Sequence, residues 1–199
     1  MTRTGRTTLL AAAAVMTAAV VAEIAAEPKA APKAATKVAA TGARSVERGA
    51  YLVRIMGCNH CHTPYKLGPN GPEPDMSRRL SGHPAELAMP KAPSLGDTPW
   101  AWIAAGTNTA FAGPWGVSFT ANLTPDPETG LGKWTAETFI ATMRTGRHEG
   151  KGRPVLPPMP VENLANLSDS DIRDLFAYLQ TLTPVRNRVP APLDPPEAQ

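Results

Sequence analysis

Both cysteines of the chain lie three positions apart and are followed at once by a histidine. Residues 57–64 read GCNHCHTP, which places Cys58, Cys61 and His62 in the pattern C-x-x-C-H. Residues i and i+3 of a helical turn point to the same side, so both sulfurs can reach the two vinyl groups on one edge of a porphyrin. This pattern is the attachment signature of a c-type haem, with His62 placed to ligate the iron. The motif predicts one covalently attached haem c.

Other uses of a cysteine pair fit this sequence less well. A thioredoxin-like redox pair belongs in a βαβ context, which the pattern of apolar residues does not indicate. A structural zinc site needs four Cys or His ligands, and the histidines outside the motif, His83 and His148, stand in no second paired spacing. A disulfide between Cys58 and Cys61 would close too small a ring to stabilise the fold appreciably.

An iron held by one histidine has a sixth position to fill, and Met159 is the best candidate. Met159 lies in RPVLPPMPVENL, where prolines stiffen an extended loop at low entropic cost. Met143 falls on an apolar helical face and is expected in the core, and Met56 lies too near the cysteines to reach the opposite face of the ring. The alternatives that remain open are Met76, Met89, His148 and an open site.

Three stretches have helical caps and apolar residues at helical spacing. They are SVERGAYLVRIMG (45–57), TAETFIATMRTG (135–146) and SDSDIRDLFAYLQTLTP (168–184). About seventy residues rich in proline and glycine separate the first two, with at most short strands around 115–123 or brief helical turns near 100–105. So long a loop needs something to organise it, and a large apolar cofactor would do so. We therefore expect an all-α fold around one haem.

The rest of the chain divides by composition and charge. Residues 1–26 resemble a signal peptide, with an uncleaved membrane anchor as the alternative. We expect an Ala/Pro/Lys-rich tether over 27–43, the haem domain over 44–188 and a disordered tail over 189–199. From position 44 onward there are 15 basic and 15 acidic residues, so the domain lacks the net positive charge of a nucleic-acid-binding protein. The protein is expected in the periplasm, with membrane contact only if the N-terminal segment is retained.

These features together resemble those of a class I cytochrome c. The resemblance rests on Cys58, Cys61 and His62 near the start, on the proline-flanked Met159, and on the final helix ending in Ala177-Tyr178-Leu179. It implies that the helix before the haem motif crosses the last helix, with Gly49 or Ala50 against Phe176 or Tyr178.

A narrower similarity covers about residues 48–186. The segments SGHP, ANLTPDPETGLGKW, RTGR and LPPMP resemble bacterial periplasmic cytochromes that often carry two or three haem domains and serve as electron-accepting subunits of dehydrogenases. This chain has one haem motif, so a relay between haems within it is excluded. The same similarity implies that the segment around Asn122 and Thr124 lies near the haem propionates; a solvated turn is the alternative.

These features predict a one-electron carrier with His/Met ligation rather than an enzyme. It would accept electrons from a periplasmic dehydrogenase or a quinol oxidoreductase and deliver them to an oxidase or reductase. One alternative is a cytochrome subunit bound permanently to a dehydrogenase. Another is a peroxidase-type enzyme with a labile sixth ligand, in which His148 and Arg147 would assist.

A cluster of cations precedes the Met159 loop, with only Glu149 to offset it. Docking between redox proteins is transient and guided by charge, so this cluster could form a basic rim that meets an acidic partner; a solvated loop is the alternative. Its members are Arg144, Arg147, Lys151 and Arg153.

Overall fold

The computed structural model describes residues 33–95 and 98–195. Its helices are α1 (Lys33–Ile55), α2 (Cys58–His62), α3 (Ala136–Thr145), α4 (Val161–Leu164) and α5 (Asp169–Leu179). The three long helices expected from the sequence are confirmed as α1, α3 and α5. None of the helices in the described residues is long and apolar enough to span a membrane.

Helix α1 begins twelve residues earlier than its apolar pattern suggests, at Lys33 rather than Ser45. Residues 33–43, expected to form part of a tether, are therefore helical. Alanine and lysine are among the best helix formers, so this composition extends a helix without supplying an apolar face. The expected signal peptide or anchor and residues 27–32 of the tether lie outside the described residues.

The other long helices begin and end at residues that cap them. The Thr135 side chain accepts a hydrogen bond from the Thr138 amide at the start of α3, and Gly146 ends that helix in the left-handed conformation, with φ 63°. Ser168 accepts a hydrogen bond from the Asp171 amide at the start of α5. Each of these contacts satisfies backbone groups that a helix end leaves free.

Helices α1 and α5 cross at a glycine. A Cβ atom on Gly49 would lie 2.7 Å from the Cβ of Tyr178 and would overlap the carbonyl oxygen of Asp174. The side chains of Ser45 and Arg48 bind Asp174 and Asp171 across the same crossing. The expected helix crossing is therefore confirmed, with Gly49 and Tyr178 as the contact pair.

One apolar core joins α1, α3 and α5. Leu52 and Val53 come from α1, Phe139 from α3, and Ile172, Leu175 and Leu179 from α5, with Leu80 and Leu131 added by the connecting segments. Cys58 of the haem motif packs against this core, which the three helices predicted from the sequence build.

The long connection contains two small antiparallel sheets. Strands β1 (Tyr65–Gly68) and β2 (Gly71–Pro74) form a hairpin, with Tyr65 opposite Pro74. Strands β3 (Ile103–Ala104), β4 (Ala110–Gly113) and β5 (Gly116–Phe119) form a second sheet in that order. Residues 100–105 thus include a strand rather than a helical turn, whereas the strand expected within 115–123 is confirmed as β5.

The C-terminal residues are ordered further than their composition predicts. Leu193 and Val117 exchange two backbone hydrogen bonds of 2.9 Å, and Leu193 packs against the apolar face of the second sheet. The disordered tail expected over 189–199 thus contains one residue, Leu193, that pairs with the second sheet. Residues 196–199 lie outside the described part of the chain.

Candidate functional site

Helix α2 consists of the C-x-x-C-H motif itself. It follows Gly57, whose left-handed conformation (φ 69°) lets the chain turn out of α1, and it carries Cys58, Cys61 and His62. The two cysteines do not form a disulfide with each other. Burial raises the pKa of Cys58 to about 11 and also raises the pKa of Cys61. Both sulfurs are therefore protonated near neutral pH, unlike the low-pKa thiolate of a redox-active pair.

The imidazole of His62 is buried and oriented by the backbone. Its Nδ1 lies 2.8 Å from the carbonyl oxygen of Ala121; because a carbonyl only accepts, Nδ1 donates. Burial lowers the pKa of His62 despite that hydrogen bond, so the ring is neutral. No group among the described residues hydrogen-bonds Nε2. A neutral imidazole held through Nδ1 with Nε2 left available is the arrangement of a metal-ligating histidine, so the donor set fits a haem iron.

A close approach between two chain segments places Ala121 beside His62. The amide of Gly82 donates to the His62 carbonyl (2.8 Å), and the amide of His83 donates to the Thr120 carbonyl (3.0 Å). Gly82 has φ 79°, and a Cβ atom there would lie 2.6 Å from the carbonyl carbon of Ala121. Only glycine allows both this conformation and this approach.

The middle of the motif is also anchored. Arg79 donates to the Asn59 side chain (3.1 Å) and to the Tyr178 hydroxyl (2.7 Å), which links α2 to α5. His60 is exposed, and its Nδ1 lies 3.3 Å from the Tyr65 hydroxyl.

Met159 is half-buried in the loop before α4. The carbonyl oxygen of Pro157, two residues earlier, accepts a 2.6 Å hydrogen bond from the Ser118 hydroxyl in β5. Strand β5 leads directly to Ala121, which binds His62. The segment 118–121 therefore contacts the loop of Met159 at one end and His62 at the other.

The competing ligand candidates have other surroundings. Met143 and Met56 pack against the main core, and Met89 packs against the second sheet. Met76 is 60% exposed. His148 is exposed, with its ring edge-on to Trp134.

Comparison with known proteins agrees with this geometry. A family model for cytochrome c matches residues 46–183, a span that contains α2, His62 and Met159. The chain belongs to the cytochrome c family. Membership supports a covalently attached haem c as the cofactor, and an electron-transfer domain rather than a catalytic one.

Several relatives of this cytochrome are named as parts of dehydrogenases. It is 31% identical over 133 residues to the cytochrome c subunit of the alcohol dehydrogenase (quinone) of Gluconobacter oxydans, which is 67% of this chain and 20% of the relative. It is 27% identical over 137 residues to the fructose dehydrogenase cytochrome subunit of Gluconobacter japonicus, which is 69% of this chain and 21% of the relative. It is 27% identical over 133 residues to the gluconate 2-dehydrogenase cytochrome c subunit of Pantoea cypripedii, which is 67% of this chain and 22% of the relative. The chain thus matches only about a fifth of the length of these relatives.

In this cytochrome the side chains of Asn122 and Thr124 bind other parts of the chain, unlike those of a solvated turn. Asn122 and Thr124 are buried. The Asn122 amide donates to the Val185 carbonyl (2.8 Å), while its side-chain oxygen accepts from the amide and hydroxyl of Thr124. Both ends of the Asn122 side chain therefore have protein partners. The bond from Asn122 to Val185 connects this segment to the chain that follows α5.

One of the four cations expected in the basic rim of the cytochrome, Arg144, instead binds groups within the fold. Arg144 donates to the carbonyls of Ala165 and Leu167 and pairs with Asp169 at 2.6 Å, so it is a structural cation that ties α3 to the start of α5. Three exposed cations remain between α3 and the Met159 loop, and we call them the basic cluster: Arg147, Lys151 and Arg153.

Proposed function

We propose that this cytochrome is a periplasmic one-electron carrier with a single haem c bound through Cys58 and Cys61 and ligated by His62 and Met159. The observation that carries the proposal is the buried, neutral imidazole of His62, fixed through Nδ1 by Ala121 with Nε2 free of partners among the described residues. The single motif, with the only two cysteines of the sequence, supports one haem.

When bound, the haem supplies the one-electron redox chemistry, and the chain supplies position and environment. Ala121 fixes the ring plane of His62 and makes the ligand more basic through its hydrogen bond. A thioether from Met159 favours the ferrous state and raises the reduction potential. With His62 and Met159 both holding the iron, the site would serve electron transfer rather than substrate binding.

The names of the relatives support a dehydrogenase as electron donor, with a quinol oxidoreductase as the other donor class. An oxidase or reductase would be the acceptor. The same names favour a second candidate function, that of a cytochrome subunit bound permanently to a periplasmic dehydrogenase. Affinity purification of the chain from its own cells separates the two, because a permanent subunit brings a stoichiometric dehydrogenase with it and a free carrier does not.

The haem and its attachment are tested by periplasmic expression together with a haem-attachment system. The expected product is coloured, with the mass of the processed polypeptide plus one haem, and its N-terminal sequence locates any cleavage near residue 26. A colourless protein with the mass of the polypeptide alone would rule out the proposal.

The sixth ligand is tested by replacing Met159. Wild-type ferric protein should show the near-infrared methionine-to-iron band, and Met159→Ala should lose it, become high-spin and bind cyanide rapidly. Met76→Leu is the matched control, because that exposed methionine should leave the band unchanged. A wild-type protein that is high-spin and binds cyanide at once would favour the peroxidase-type alternative instead.

A further inference from the structure

We propose that Ser118 is a positioning residue that holds the loop of Met159 in place for ligation. The inference rests on the proposed Met159 ligand and concerns what fixes that side chain. It follows from how few hydrogen bonds this loop can make.

The loop 154–160 is poor in backbone donors. Four of its seven residues are prolines, which have no N–H group, so only Val155, Leu156 and Met159 can donate. The Val155 amide binds the carbonyl of Gly146, and the Met159 amide makes a long 3.4 Å contact with Leu156. Both bonds stay within the part of the chain between α3 and α4.

Ser118 provides a hydrogen bond to the Met159 loop from a distant part of the chain. Its hydroxyl donates to the Pro157 carbonyl at 2.6 Å across 39 residues of sequence. Among the described residues, this is the one hydrogen bond that joins the loop 154–160 to a segment outside residues 146–164. Ser118 is 6% exposed, so water does not readily replace it.

The hydroxyl is itself directed by a neighbour. Trp115 Nε1 donates to Ser118 Oγ at 3.3 Å, so the serine accepts from the indole while it donates to Pro157. The weaker contact of the same hydroxyl with the Phe111 carbonyl is 3.4 Å long. The indole packs over Gly113, where a Cβ atom would lie 2.6 Å from the ring. Trp115 therefore favours the orientation in which the hydroxyl points to the loop.

The segment 118–121 thereby positions both ligand candidates of the site. Ser118 holds the Met159 loop, and the carbonyl of Ala121, three residues on, holds His62. Strand β5 and the two residues after it therefore connect the Met159 loop to His62.

The test is ligand dissociation in the haem-loaded protein. Ser118→Ala should bind cyanide about tenfold faster than wild type, the factor that corresponds to ~1.4 kcal/mol for one buried hydrogen bond. It should also lose the methionine-to-iron band at a lower temperature. Trp115→Phe, which removes the donor to Ser118, should shift both readouts in the same direction by a smaller factor.

Ser81→Ala is the matched control. The Ser81 hydroxyl is buried, and no described group hydrogen-bonds it, so its removal should leave cyanide binding as in wild type. Cyanide binding by Ser118→Ala at the Ser81→Ala rate would overturn the inference. Global unfolding, followed by circular dichroism, separates loop release from general destabilisation: a loss of band that coincides with unfolding would also overturn it. A wild-type protein without the band overturns the Met159 ligand itself, which is a separate result.

Discussion

At the scale of single residues, His83 is a buried histidine whose ring nitrogens both have partners. Its Nε2 donates to the Leu87 carbonyl and its Nδ1 accepts from the Thr109 hydroxyl, both at 2.9 Å. Only a neutral imidazole can make this pair of bonds with Nδ1 as acceptor. Burial lowers the pKa of His83, although the Leu87 carbonyl and Glu86 act to raise it.

This histidine predicts a loss of stability in mild acid. The unfolded chain takes up a proton at His83 as the pH falls through about 6.5, whereas the folded chain resists until its lower pKa is reached. The free energy of unfolding of the haem-loaded protein should therefore fall between pH 7 and the folded pKa, by at most ~1.4 kcal/mol per pH unit. Denaturant titrations at pH 7.5 and 5.5 measure the effect.

His83→Gln should flatten this pH dependence, and His148→Gln, at an exposed position, should retain it. An equal slope in wild type and His83→Gln would show that other groups cause the acid sensitivity.

The residues of the site differ in how far the sequence can predict them. Cys58, Cys61 and His62 can be found because their spacing is local and chemically specific. Ala121 and Ser118 cannot, because one contributes only a backbone carbonyl 59 residues from His62 and the other a common hydroxyl. Both are brought to the site by the fold, and neither side chain carries a signal of that use.

At the scale of elements, the three long helices were predictable except for the start of α1, and the strands largely were not. Helices α3 and α5 have polar caps and apolar stripes that specify them locally. Strands β1 and β2 read YKLG and GPEP, and proline and glycine are rare in strands. Their pairing comes from the hairpin and from neighbouring segments, such as the Tyr65 amide bound to the Thr107 carbonyl.

The crossing of α1 and α5 predicts that two glycine substitutions in α1 change the free energy of unfolding very differently. Gly49→Ala would place a methyl group against the backbone of Asp174, so we expect a loss of roughly 1–3 kcal/mol in the free energy of unfolding. Gly42→Ala meets no atom within 4 Å, and should stabilise the helix by about 0.5–1 kcal/mol.

Chemical denaturation of the two haem-loaded variants measures this difference. The two helices can approach this closely only while position 49 lacks a side chain. Equal stabilities for the two variants would mean that the helices do not cross at Gly49.

At the scale of the whole molecule, charge is balanced from position 44 onward but not evenly placed. The basic cluster lies directly before the Met159 loop, and the paired backbones of Arg147 and Pro154 connect the two. Replacing Arg147, Lys151 and Arg153 by glutamine should slow oxidation of the ferrous protein by the anion ferricyanide, about threefold at low ionic strength. The rates should converge in high salt, where such interactions are screened.

A second triple variant keeps the net charge equal. Arg44, Arg54 and Arg173 are exposed elsewhere on α1 and α5, and glutamine at these positions should slow the reaction less. If both variants slow it equally, net charge rather than the basic cluster governs the approach of the anion.

The bond between His62 and Ala121 has a consequence for the order of assembly. The two thiols and the imidazole lie within five consecutive residues, so an attachment enzyme needs to recognise only a short stretch of unfolded polypeptide. The carbonyl that fixes the imidazole comes from a segment that must first return across a long loop, and closing that loop is a later and slower event. Covalent capture of the pigment and completion of its coordination sphere are therefore separable stages of maturation.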